Sequence, residues 1–395
     1  MDTGYVPTLE KMQLLLITNL YPPQELGGYG RCMADFAWGF LQRGHHVQVL
    51  CNDAPYLGYG GKGPSGERVF RTLKLKGSFD NGVQHLEDAE ACTAVDIHNR
   101  AVISQILQQE TPDGVLLGNL DLLGAEMLSP LLSSGLPLLH HIGFVYPPFP
   151  AKQRPTSLNY RMVAASEAVR VKLLETELSA INIPVVYPGA RVDLFGSEAV
   201  PRPLPPTPDG SVGKPLRVCF AGLQMASKGP HTLLEALSKL RQNGVIVESM
   251  IAGGSFQKNY ADQLRMYCKQ QQIEQQVQFL PQLRRDQLAK LFRVNHVFVF
   301  TSLHPEAFGI VPVEAMASGL ALVSSGVGGA AEVFTDGISG LHYPAGDAGA
   351  LAERLSLLAK EPKLLKNLQK QGEQHVRRKF NVTQSVEQLE ELLLL

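Results

Sequence analysis

Residues 13–50 read QLLLITNLYPPQELGGYGRCMADFAWGFLQRGHHVQVL. Gln13 to Thr18 is an apolar run of strand length, and Tyr21 to Gly30 is a loop rich in glycine and proline. Arg31 to Arg43 then places apolar residues at helical spacing, Gly44 stops the helix, and His46 to Leu50 is a second apolar run. The segment therefore predicts one β–α–β unit of a parallel sheet.

Working outward, the same alternation predicts further strands at Gly114 to Leu117, Leu136 to His140, Arg161 to Ala164 and Pro184 to Tyr187. Between Gly196 and Pro215 lie six prolines with little periodicity, which reads as a stiff linker. After it the pattern restarts with a strand Leu216 to Ala221, a helix His231 to Asn243, a strand Glu248 to Ala252 and a helix Ala261 to Gln270. Strands at Gln276 to Leu280, His296 to Thr301, Ala321 to Ser324 and Gly340 to His342 complete a second sheet. Lys360 to Leu395 is helical in pattern and ends in Leu389 and Leu392 to Leu395, an apolar end that must be covered. The chain thus reads as an α/β protein of two doubly wound domains, whose ligand crevice lies outside the carboxyl ends of the strands.

Composition narrows the function. The 395 residues carry 36 Lys+Arg against 37 Asp+Glu, a net charge of -1, so nucleic-acid binding through bulk charge is not expected. The halves differ: residues 1–200 carry -5 and residues 201–395 carry +4, which makes the second half the better anion host. No apolar run reaches the ~18 residues of a membrane helix, and the first residues lack a signal-peptide pattern, so a cytoplasmic protein is expected. Five widely spaced cysteines resemble neither a disulfide framework nor a zinc site and read as reduced core residues.

The segment most informative for chemistry is HPEAFGIVPVEAMASG, residues 304–319. A loop ending in Gly309 leaves the first amides of a helix from Ile310 to Ser318 free to face an anion, with Glu306 before the turn and Glu314 about a turn inside. The bland alternative is that Glu306 complements the helix dipole and Glu314 is a solvated face residue. Gly27 and Gly28 let backbone approach a phosphate or sugar closely, though such a pair after a strand is also an ordinary turn.

With its surroundings, this segment resembles the motif of family 4 retaining glycosyltransferases of the GT-B fold. The resemblance extends through GGYGRCMADFAWGFLQRGHHVQVL near the start, AASEAVRVKL (164–173), VVYPGARVDLF (185–195), AGLQMASKGPHTLLEAL (221–237) and GVGGAAEVFTDGISGL (326–341). It implies a GT-B enzyme: two Rossmann-like domains facing across a cleft, with an acceptor-side domain over 1–195, a linker over 196–215 and a nucleotide-sugar domain over 216–375. Residues 376–395 would form a helix crossing back to the first domain. The resemblance assigns Glu314 to the nucleotide ribose and Glu306 to the donor sugar. Ala307, Phe308, Gly309 and Ile310 would offer amides to the sugar and diphosphate, Lys228 would neutralise the diphosphate, and Gly222, Gly27 and Gly28 would line the cleft. One of His140 and His141 would face the donor sugar; the sequence does not decide which. Where the family places an arginine after Gly222, this chain has Leu223.

No Asp-x-Asp on a strand end, P-loop, Gly-x-Ser-x-Gly elbow or paired-cysteine spacing is present, so no metal and no cofactor beyond the donor itself is expected. Recurrent basic residues, among them Arg68, Arg71, Lys74, Lys76, Arg161 and Arg170, are read as solvated faces, with an acidic acceptor or a peripheral membrane surface as the alternative. The resulting expectation is transfer of a glucose- or mannose-type hexose from a UDP or GDP sugar, with retention, to a hydroxyl of a sugar, sugar phosphate or lipid-linked sugar. The rival is a nucleotide-sugar-binding subunit without turnover, favoured by Leu223 alone.

Overall fold

The computed structural model describes residues 11–80, 82–146, 149–175, 182–196, 198, 205–257 and 259–395. In chain order the strands are β1 (Gln13–Ile17), β2 (His46–Asn52), β3 (Arg68–Leu73), β4 (Gly77–Ser78), β5 (Gln84–His85), β6 (Gly114–Leu117), β7 (Leu138–Ile142) and β8 (Tyr160–Ala164). In the second half follow β9 (Leu216–Ala221), β10 (Val247–Ala252), β11 (Val277–Leu280), β12 (Val297–Phe300), β13 (Ala321–Ser324) and β14 (Leu341–His342). The first sheet runs β3-β2-β1-β6-β7-β8 and the second β11-β10-β9-β12-β13-β14, and every pairing in both is parallel. The strand order reverses beside β1 in one sheet and beside β9 in the other. The loops leaving these two strands therefore open the crevices in which such sheets bind ligands.

Alternation inside the strands explains why both faces are covered. In β1, Leu15 and Ile17 join one core with Val115 and Leu117, while Leu14 and Leu16 join another with Phe36, Phe40 and Val47 from the helix Tyr29–Gln42 and β2. The second sheet repeats the arrangement, with Val218 and Val297 on one side and Cys219 and Phe298 on the other. All five cysteines are free thiols; Cys92 is half-buried and the other four are buried.

Three readings of the sequence need correction. Arg68–Leu73 is an edge strand, missed because a strand that is half-buried or exposed up to its buried last residue, Leu73, and carries two arginines lacks an apolar run. Pro184 to Tyr187 is not a strand: it pairs only through the bridge Ala164–Val185, between prolines at 184 and 188 that lack an amide to donate. Lys360 to Leu395 is two helices, Pro362–Lys379 and Val382–Leu394, broken where the Asn381 side chain accepts from the Thr383 amide at 3.1 Å and caps the second. Val376 packs in a core cluster made mostly of second-sheet residues, and the helix that crosses to the first sheet begins at Val382. Val382, Val386, Leu389 and Leu393 then pack into the core of the first sheet, and Glu390 accepts from Arg43 and pairs with His45 at 2.9 Å. Of the linker, residues 197 and 199–204 lie outside the described residues.

Candidate functional site

The two crevices face each other and enclose a cleft of about 400 Å³ lined from both domains. On the second-domain side, β9 is followed by Gly222 and Leu223, and a single 3₁₀ turn, Ala226–Lys228, brings the chain to Gly229. Gly229 sits at φ 65°, where a side chain would also run into the Thr301 carbonyl, and Pro230 then begins the next helix. The Thr301 hydroxyl donates to the Lys228 carbonyl at 2.7 Å, and the Leu303 amide donates to Ser227 at 2.9 Å. The turn is thereby pinned to the end of β12, and Lys228 Nζ reaches Glu306 Oε1 at 2.6 Å, an oxygen that also accepts from the Ser302 hydroxyl. Lys228, Ser302 and Glu306 all line the cleft.

Beside that pair begins the helix Ile310–Ala317. Gly309 enters it at φ 107° with no side chain capping the first turn, so the amides of its start are presented to the cleft that Gly309, Ile310 and Val311 line. The preceding loop is fixed by the Glu306 amide donating to Val327 and the Gly329 amide donating to Glu306, at 3.2 and 2.7 Å. Ala307 also lines the cleft. The Phe308 ring turns into a cluster with Tyr187 and Phe380, which leaves its backbone as the part available to a ligand. Across the gap, Gly27 adopts φ 73°, and a Cβ on Gly28 would lie 2.6 Å from Ile310 Cγ2. Only glycine permits that approach of the two walls.

The structure brings Gly27, Gly28, Gly222, Lys228, Glu306, Ala307, Phe308, Gly309 and Ile310 to one cleft, and it does not bring the remaining three there. His140 and His141 are both fully buried in β7, a central strand whose two faces are each covered. His140 bonds the Tyr160 hydroxyl at 2.6 Å and the Gly118 carbonyl at 3.0 Å. His141 bonds the Val186 carbonyl at 2.9 Å and the Tyr29 hydroxyl at 3.0 Å. Burial lowers the two imidazoles to about 3 and about 4. They are neutral core residues, and neither lines the cleft, contrary to the expectation that one would.

Glu314 lies behind the cleft wall, fully buried, with Oε1 taken by Arg285 at 2.8 Å and Oε2 without a hydrogen-bond partner. Arg285 also holds both oxygens of Asp35, one of them at 2.9 Å, from the helix Tyr29–Gln42 of the other domain. Burial pushes the Glu314 carboxyl up, and the Arg285 charge pulls against it.

Sequence reasoning missed four residues that shape the site. Arg31, described only as beginning a helix, lines the cleft with Lys228; these two are its cations among the described residues, and Arg31 Nε pairs with Glu25 at 2.7 Å. Its place next to the glycine pair was a usable signal. Asp35 and Arg285 lie 250 positions apart, and no local pattern announces their pairing. Glu332 of the second domain accepts from the Glu167 and Ala168 amides at 2.9 and 2.8 Å, capping a first-domain helix, Glu167–Glu175. Among the described residues no cluster of three or more metal-binding side chains occurs, and no helix is long and apolar enough to cross a membrane.

Comparison with known proteins agrees with this fold. Residues 208–375 match the family described as glycosyl transferases group 1. The D-inositol 3-phosphate glycosyltransferase of Mycolicibacterium smegmatis is 35% identical over 190 residues, 47% of this chain and 42% of that protein. Its counterpart in Streptomyces bingchenggensis is 30% identical over 227 residues, 54% and 47% of the two chains. The chain thus spans about half or less of the length of these curated relatives. Among solved structures, a Rickettsia africae glycosyltransferase superposes with a TM-score of 0.76 at 18% identity over 97% of this chain and 98% of that one. Anabaena HepE in complex with UDP-glucose gives 0.72 at 19% identity over 97% and 99%. The architecture is the GT-B fold, and the match to the glycosyl transferases group 1 family is confined to residues 208–375, less than half of the chain.

Proposed function

We propose that the protein is a retaining hexosyltransferase that uses a nucleotide-diphosphate sugar, UDP-glucose type first among the candidates, and needs no metal ion. The observation that carries this reading is the convergence of Lys228, Glu306 and the uncapped start of the helix Ile310–Ala317 on one cleft wall, opposite Gly27 and Gly28. Helix amides and a flexible cation suit a diphosphate. In transfer, the acceptor oxygen bonds to the anomeric carbon while the bond from that carbon to phosphate breaks. The nucleoside diphosphate leaves with the electron pair, and its phosphate oxygen takes the acceptor proton. Lys228 and the helix amides hold the charge that develops on the leaving group. Glu306, already bonded to Lys228, would then turn its carboxylate to the hydroxyls of the transferred sugar. Closure of the domains over the donor keeps water from hydrolysing it.

The test is a thermal-shift panel of nucleotides and nucleotide sugars, followed by nucleoside diphosphate release with and without EDTA. A stabilising donor that is cleaved at the same rate in EDTA supports the proposal. Cleavage abolished by EDTA removes metal independence from it. The non-catalytic reading rests on Leu223, which lines the cleft where a second cation would help the leaving group; tight nucleotide binding with no cleavage of any donor would favour it.

A further inference from the structure

The first-domain wall of the cleft has a character of its own. Its loops follow the carboxyl ends of the strands: the β4–β5 hairpin supplies Phe79 and Val83, the loop after β7 supplies Gly143 and Phe144, and the loop after β6 supplies Asn119 and Asp121. Phe144 is 39% exposed and stands 5.9 Å from the Tyr29 ring, and Val83 is 55% exposed, so two large apolar side chains face water at the mouth of a cleft. Apolar side chains at the rim of a pocket offer a surface on which an apolar part of a ligand can rest.

Charge on this wall points the same way. The wall's one cation among the described residues, Arg31, is 8% exposed and already bonded to Glu25 and to the Leu283 carbonyl at 3.3 Å. Lys76, whose amide is bonded to the loop after β6, gives its ammonium to Asp96 and Glu126. Asp121 adds a carboxylate. Asn81, Pro147 and Pro148, which adjoin the wall in sequence and lie outside the described residues, are uncharged. Among the described residues a phosphorylated acceptor would meet no free lysine or arginine here and one repelling carboxylate, with His85 of the hairpin near it, whereas a hydroxyl finds acceptors in Asp121 and Asn119. The curated relatives are named for D-inositol 3-phosphate, an anion.

We infer that the acceptor of this chain is an uncharged alcohol carried on an apolar body, seated between Val83 and Phe144, and not a sugar phosphate. The inference rests on the transfer reading above. Its chemistry is that of an alkyl or aryl glycoside: the apolar tail lies on the two exposed side chains, and a sugar hydroxyl reaches the anomeric carbon and loses its proton to the leaving phosphate.

The test uses the full chain with the donor it cleaves and three acceptors: n-octyl β-D-glucopyranoside, D-glucose and D-inositol 3-phosphate. The expected result is kcat/KM at least 10-fold higher for the octyl glucoside than for either other compound. Val83→Ser and Phe144→Ser, both at exposed positions, should each reduce the ratio of octyl glucoside to glucose at least 5-fold. Preference for the inositol phosphate, or equal use of octyl glucoside and glucose, overturns the inference while leaving transfer intact. Donor cleavage with no acceptor used also overturns it. Absence of any donor cleavage overturns the transfer reading and this inference with it.

Discussion

Lys228 and Leu223 both line the second-domain side of the cleft, and only Lys228 is charged. Lys228→Ala should therefore lower kcat/KM at least ~10-fold, the equivalent of about 1.4 kcal/mol, and Leu223→Arg should raise donor affinity or turnover. Steady-state kinetics of diphosphate release check both; an unchanged Lys228→Ala enzyme would remove the lysine from the leaving-group site. The two histidines make a different prediction. Each is neutral when folded, with its pKa lowered by burial to about 3 for His140 and about 4 for His141, while the unfolded chain binds its proton near the usual ~6.5. The unfolded state thus gains protons first as pH falls. Stability is full above about pH 6.5 and declines toward pH 4, by about 2 kcal/mol per histidine at pH 5. Urea unfolding at pH 7.5 and 5.0 measures the loss, which His140→Gln and His141→Gln should each reduce.

At the scale of elements, interdomain contacts hold the walls of the cleft in register. Glu332 reaches from the second domain to the N-terminus of the helix Glu167–Glu175, where two amide bonds to a carboxylate are charge-assisted. Glu332→Ala should weaken the closed arrangement by about 1–3 kcal/mol and raise the radius of gyration in solution scattering; an unchanged value would show that this cap does not bear on closure. How far such contacts could be read in advance follows from their range. The β–α–β unit at residues 13–50 and the strands of the second sheet are written in local patterns of one period each. The edge strand Arg68–Leu73 is not, because its identity depends on β2 beside it. The burial of His140 and His141 depends on cover from elements remote in sequence. The link from Asp35 through Arg285 to Glu314 joins three segments whose sequences carry no common signal. Glu306 and Gly309, legible in the local loop-to-helix pattern, and Lys228, supplied by the family resemblance, sit at or beside turns with a local signature.

For the whole molecule, the final helix is the feature that makes two domains interdependent. Val382, Val386, Leu389 and Leu393 fill the core of the first sheet, although the chain has by then finished building the second. At about 1.5–3 kcal/mol for each buried side chain, deleting residues 381–395 would remove some 6 kcal/mol or more, comparable with the whole stability of a domain. Calorimetry should show the first domain melting separately and at lower temperature; a single unchanged transition would mean that the helix is dispensable. The central claim, that this cleft holds a nucleotide-diphosphate sugar for transfer, meets its most direct test in a crystal structure of the protein with UDP-glucose. The account predicts the diphosphate between Lys228 Nζ and the amides of Gly309 and Ile310, with the sugar turned toward Glu306. A diphosphate bound away from the start of the helix Ile310–Ala317, or a cleft that stays empty at saturating donor while Lys228 remains paired with Glu306, would contradict it.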